Sequence, residues 1–187
     1  MDQRELVERA GRGDQDAFAQ LVRERIARLD AAARLILHDP ELARDAVQEA
    51  LVGAWRDLPG LRDPDAFDAW IHRITMRCCL GILRRRRRRV VEFELTPIAD
   101  VPIGDTDSFV VDRDEVEQAL RRLDPGFRAV VVLHYFLGLP LPEAAAALGI
   151  PLGTAKSRLH RSLAAMRADL SIASSLEATE LPRGQIA

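Results

Sequence analysis

Along most of this chain apolar residues return every three or four positions, the period of a helix packed on one face. After a short charged opening (Asp2 to Ala10) and a break at Gly11 to Asp14, one helix is predicted from Ala17 to Leu37. Phe18, Leu21, Val22, Ile26, Leu29, Ala33 and Leu37 form its stripe, and Asp14 or Asp16 can cap its start. His38-Asp39-Pro40 ends that helix and opens the next, because proline fits the first helical position. From Glu41 to Asp57 the stripe is Leu42, Ala46, Val47, Ala50, Leu51, Ala54 and Trp55. Leu58 to Asp65, LPGLRDPD, is a loop. A further helix follows from Ala66 to about Arg87, with Phe67, Trp70, Ile71, Ile74, Cys78 and Ile82 inward.

The period is lost from Val90 to Val111, where Pro97, Pro102 and Gly104 fall. It resumes in Asp112 to Leu123, and again after Asp124-Pro125 with Phe127, Val130, Val131, His134 and Leu137. In Gly138 to Arg167 the pattern gives two helices around a tight turn. The first starts at Pro142-Glu143 and stops at Gly149, and the second starts near Gly153-Thr154 with the Thr154 hydroxyl as cap. Its apolar side is Ala155, Leu159, Leu163 (or Ser162) and Met166, and its other faces carry Thr154, Lys156, Ser157, Arg158, His160 and Arg161. That is the pattern of a helix-turn-helix, whose second helix enters the major groove; an ordinary helix pair with a solvated basic face is the plain alternative. The expected fold is all-α: two small helical domains (1–90 and 112–170) joined by an acidic flexible linker (91–111), the second containing the helix-turn-helix, with a disordered tail at 171–187.

Composition agrees with helices, since aromatics are 5% and alanine, leucine and arginine are abundant. A net charge of -2 excludes a generic polyanion binder, but the charge is segregated. Arg84 to Arg89 are six consecutive arginines, more than a helix end needs, and read as a phosphate-binding run or a solvated basic tail. From Glu92 to Glu117 there are nine acids against the single base Arg113. Cys78 and Cys79 are adjacent, a spacing that offers no disulfide framework, and they read as small core residues before redox sensors. The amino terminus is charged rather than signal-like, and no apolar run approaches a membrane span, so a cytoplasmic protein without membrane insertion is expected.

The stretch Leu148-Gly-Ile-Pro-Leu-Gly-Thr-Ala-Lys-Ser-Arg-Leu-His-Arg161 resembles the last helix-turn-helix of bacterial sigma-70 family factors, in particular the extracytoplasmic-function (ECF) group. Asp45-Ala-Val-Gln48-Glu49, followed by Ala54-Trp55, is similar to the family's DxxQE helix, and Arg128 and Tyr135-Phe136 match a further family pattern. The resemblance implies that Asp45, Gln48 and Glu49 dock on the beta-prime clamp coiled coil of core RNA polymerase. It implies that the Gly60 to Asp65 loop, with Arg62 and Asp63, captures the melted minus-ten strand, and that Arg73, Arg77, Arg84, Arg85 and Arg86 line its backbone track. Thr154, Lys156, Ser157, Arg158 and Arg161 would read the minus-thirty-five duplex in promoter DNA. The polymerase beta flap and an anti-sigma factor are implied as further partners. Where many family members carry Asn and Asp in the minus-ten helix, this chain has Arg77 and Gly81.

No enzyme is indicated. His38, His72, His134 and His160 are scattered, and no metal, nucleotide or nucleophile motif stands out, so no metal or other cofactor is expected. Two rivals remain from the residues alone. One is an autonomous dimeric helix-turn-helix regulator, and the other is a nuclease using the acids beside the arginines.

Overall fold

The computed structural model describes residues 2–93 and 111–179, with side chains over 2–86 and 115–170. Most of the acidic linker and the end of the tail lie outside the described residues. The helices are α1 (Gln3–Gly11), α2 (Gln15–Arg23), α3 (Ile26–Leu37), α4 (Pro40–Asp57), α5 (Phe67–Phe93), α6 (Val111–Arg122), α7 (Pro125–Val131), α8 (Leu141–Leu148) and α9 (Leu152–Thr179). Among the described residues there is no strand.

The starts of α2 and α4 fall where capping chemistry puts them. The Asp14 carboxylate accepts from Ala17 N at 3.0 Å, and Asp39 accepts from Glu41 N and Leu42 N, both at 3.1 Å, with Pro40 next in line. His38 ends α3 in the left-handed conformation at φ 51.

The expected single helix from Ala17 to Leu37 is instead two, with the break at Glu24 and Arg25. No glycine or proline causes it. The Arg25 guanidinium donates to Leu21 O at 2.7 Å and to Gln3 Oε1 at 2.5 Å, pairs with Asp68, and lies 5.4 Å from the Phe67 ring centroid. One side chain therefore ties α1, α2 and the start of α5 together, and the tertiary contacts outweigh local helix continuation. The break also turns Ile26 outward, 43% exposed, where the stripe had placed it inward.

The opening helix α1 is more than a charged lead-in, since Leu6, Val7 and Ala10 are buried in the core. Helices α3, α4 and α5 pack on one another around Ile36, Phe67, Ile71 and Met76, and α1 and α2 pair with each other beside them. Trp55 and Phe18 meet edge to face at 5.2 Å, and the half-buried tryptophan packs against the core.

In the second half α6, α7 and α8 surround the first part of α9. After α7 the chain makes a π-helical turn, Val132–Phe136, closed by Leu137 N on Val132 O at 2.9 Å. His134 Nδ1 bonds Leu139 O at 2.8 Å, so this half-buried imidazole is satisfied by the backbone. Helix α9 runs on to Thr179, past Leu170 where the sequence placed the start of a tail. The two halves do not stand apart: α5 packs against α8, α3 packs against the π turn, and one buried cluster holds residues of both.

Candidate nucleic-acid interface

The helix-turn-helix is built as the sequence pattern requires. Gly149 ends α8 at φ 66, a conformation that glycine adopts without a Cβ penalty. Ile150 N donates to Ala145 O at 3.1 Å and Ala155 N to Pro151 O at 3.0 Å, so a short turn separates the helices. Helix α9 starts at Leu152, earlier than expected. The Thr154 hydroxyl is thus inside the first turn rather than at the cap, because Pro151 already supplies the capping carbonyl.

Ala155, Ser162 and Met166 face inward on α9. The Ser162 hydroxyl donates to Arg158 O at 2.8 Å, which satisfies a buried polar group. Lys156, Ser157, His160 and Arg161 form the exposed arc, with Thr154 and Arg158 half-buried along one edge. His160 belongs on this arc by helical spacing from Lys156 and Ser157, although the family resemblance did not single it out. Arg158 is held against α7, its guanidinium carbon 5.8 Å from the Phe127 ring centroid and Nη1 3.1 Å from where a Cβ on Gly126 would stand.

In the first half, Arg62 and Asp63 are exposed between two 3-10 turns, Leu58–Gly60 and Pro64–Ala66. Asp63 accepts from Asp65 N at 3.0 Å, and α1 steadies the loop through Gln3 Nε2 on Pro64 O at 3.3 Å. The Asp63 carboxylate therefore also shapes the turn. Arg73, Arg77 and Arg84 share one face of α5, about 16 Å long by helical rise. Arg73 is half-buried and the other two are exposed. Arg85 and Arg86 instead reach toward α4, with Arg85 3.7 Å from Glu49 and Arg86 3.9 Å from Asp39.

Asp45, Gln48 and Glu49 are all exposed on α4. Val52, 69% exposed, completes their face at three and four residues from Glu49 and Gln48. The DxxQE pattern does not include it, although its spacing from Asp45 puts it outside the apolar stripe.

Titratable groups here are structural rather than reactive. Burial pushes the Cys79 thiol up to about 12 and raises Cys78, so neither is poised as a thiolate. Burial lowers His72 to about 4. Among the described residues no group of three or more His, Cys, Asp or Glu is placed to hold a metal ion, and no helix is long and apolar enough to cross a membrane.

A helix-turn-helix with a basic exposed arc, packed beside an arginine-faced helix, defines a class of nucleic-acid-binding protein. The sigma-70 region 2 family model matches residues 21–89, and the sigma-70 region 4 model matches residues 113–166. The ECF RNA polymerase sigma factor SigM of Mycobacterium tuberculosis is 37% identical over 153 residues, 81% of this chain and 76% of its own. RNA polymerase sigma-H factor of Pseudomonas aeruginosa is 31% identical, covering 84% and 88%. Among solved structures, CnrH in complex with the cytosolic domain of CnrY aligns with a TM-score of 0.66 at 33% identity over 91% of this chain and 99% of that one. RpoE of Bartonella quintana, solved with the anti-sigma factor NepR, aligns with a TM-score of 0.70 at 26% identity over 83% and 97%. The chain belongs to the ECF group of the sigma-70 family of RNA polymerase sigma factors.

Proposed function

We propose that this sigma factor joins core RNA polymerase in the cytoplasm and directs it to promoters as a bipartite reader. The exposed arc of α9 carries the reading: Lys156, Ser157 and Arg161 are exposed on the second helix of the turn, with Thr154 and Arg158 at its edge. They contact the minus-thirty-five duplex in the major groove, with Arg158 suited to bidentate contact with guanine. Arg73, Arg77 and Arg84 track the single minus-ten strand, while Arg62 and Asp63 sit in the loop that receives an unstacked base. Arg85 and Arg86 join the track once they leave their acids. Asp45, Gln48 and Glu49 dock on the polymerase clamp helices, where acids pair with arginines. The units doing this are residues 1–90 and 112–170, with 91–111 as the tether and 171–187 as a tail.

The chain itself performs no catalysis. An anti-sigma protein is a further partner, as the related chains solved with CnrY and NepR suggest. Transcription reconstituted from this protein and core polymerase tests the reading, with promoter-specific initiation expected. A protein that binds its promoter tightly alone as a dimer, and never joins core, would overturn it.

A further inference from the structure

We propose that α1 sharpens the choice of base in the minus-ten loop, and that the Gln3 amide is the positioning residue that does so, by fixing the loop against α5. This rests on the minus-ten reading above. The loop is secured at both ends: Leu58 before it is 2% exposed and Phe67 after it is fully buried. In between, its own bonds close each turn. Leu61 N donates to Leu58 O at 2.9 Å, Ala66 N to Asp63 O at 3.1 Å and Asp65 N to the Asp63 carboxylate at 3.0 Å. These bonds shape the two 3-10 turns and leave their tilt against α5 to contacts from other elements.

Those contacts come from the amino terminus. Gln3 is half-buried at the start of α1, 61 residues from Pro64 in sequence. Its Nε2 donates to Pro64 O at 3.3 Å, and its Oε1 accepts from Arg25 Nη2 at 2.5 Å. The two partners fix which way the amide faces, because a guanidinium only donates and a carbonyl only accepts. Arg25 in turn pairs with Asp68 in the first turn of α5 and lies 5.4 Å from the Phe67 ring centroid. One amide thus bridges the loop, at Pro64, to the start of the helix that carries the arginine track. Arg4, the next residue, stands 3.8 Å from Asp65 and adds a weaker, exposed tie between the same elements.

Position matters more than strength here. Helix α1 is itself anchored by buried Leu6, Val7 and Ala10, so it offers the loop a fixed support. An unstacked base is recognised through hydrogen bonds to its edge, and such bonds weaken steeply once their angle is lost. A loop free to rock between Leu58 and Phe67 holds different bases about equally well, whereas a braced loop discriminates. The same bridge keeps the base-holding loop in register with Arg73 and Arg77, which hold the backbone of the same strand. The sigma-70 region 2 model begins at residue 21, so this brace comes from outside the residues that it matches.

The test keeps one arm of the bridge and removes the other. In Gln3→Glu the carboxylate still accepts from Arg25 but has no hydrogen to give Pro64 O. Holoenzyme assembled from core polymerase and the variant selects from a randomised single-stranded DNA pool, and sequencing gives the base preference at each position. Arg62→Ala with Asp63→Ala, which alters the loop itself, is run beside it. Gln3→Glu is expected to flatten the strongest preference by about two- to tenfold, the range that one ordinary hydrogen bond supports, with a thermal midpoint at or above that of wild type. Preference is a ratio among bases on one holoenzyme, so a smaller folded fraction does not move it. Wild-type preference in Gln3→Glu beside a flattened loop variant would overturn the brace and leave the minus-ten reading standing, and so would an equal loss of affinity for every base. Wild-type preference in both variants would remove the loop assignment and the brace with it.

Discussion

The Glu49 carboxylate stands 3.7 Å from the Arg85 guanidinium, so the face assigned to polymerase and the track assigned to DNA touch each other. Both side chains are more than half exposed, 58% and 59%, and such a pair contributes little, on the order of 0–1 kcal/mol. A polymerase cation can take Glu49 with small loss. Gln48→Ala with Glu49→Ala should therefore lower core affinity while leaving binding to minus-thirty-five duplex unchanged. Unaltered core binding by this double variant would remove the docking assignment.

Val52 extends that argument. An apolar side chain 69% exposed and flanked by Asp45, Gln48 and Glu49 has the form of an interface centre ringed by polar groups. Val52→Asp should weaken core binding at least about tenfold, about 1.4 kcal/mol, with no loss of thermal stability. Competition against wild-type chain for a limiting amount of core measures it, and parity would show that the valine is simply solvated.

Arg158 gives a prediction on the other half. Arg158→Ala should cost ~1–3 kcal/mol on cognate minus-thirty-five duplex if the guanidinium reads a base. An equal loss on scrambled duplex would make it a phosphate contact. Gly126→Ala approaches the same result indirectly, since the new methyl would press on Arg158 Nη1 from 3.1 Å and shift a side chain that α7 holds.

The arginine track is best judged by salt. Arg73→Ala, Arg77→Ala and Arg84→Ala together remove three charges from one face of α5. For single-stranded DNA the slope of log affinity against log salt should flatten by roughly 2, at about 0.7 for each phosphate that is no longer neutralised. Titrations of minus-ten single strand with holoenzyme at several salt concentrations give the slope, and an unchanged slope would place the strand elsewhere.

Much of the fold is legible locally. Asp14, Asp39 and Gly149 are single residues whose chemistry fixes a helix end, and each acts as its type predicts. The break at Arg25 is not, because its cause is Gln3, Leu21, Phe67 and Asp68 gathered by folding. Nor is the seam between the two halves, since Leu133, Leu137 and Leu139 look in sequence like any core residues. At the site, residue types carry the assignments, while the acids facing Arg85 and Arg86 come from another helix and have no sequence signal. Val52 and His160 do have one, in their helical spacing from polar neighbours.

Two histidines give the chain a defined acid sensitivity. His72, 8% exposed in α5, is lowered to about 4 chiefly by burial, with Asp68 opposing and Arg28 and Arg25 assisting. His38, at the seam, is lowered to about 4 by burial and by Arg128 and Arg121 of the second half. A base whose folded value lies below its unfolded value of 6.5 takes up protons on unfolding, so stability falls as pH drops from about 6.5 toward 4. For His72 the full effect is up to about 3 kcal/mol, at about 1.36 kcal/mol per unit. His38 acts in the same direction, but on the contact between halves, where protonation would set a third positive charge beside Arg121 and Arg128. Urea midpoints should fall between about pH 7 and about pH 4.5, and His72→Gln should flatten that fall. Scattering over the same range should show the chain expanding before its helical signal is lost. A urea midpoint flat across this range would mean that neither imidazole is held neutral by the fold.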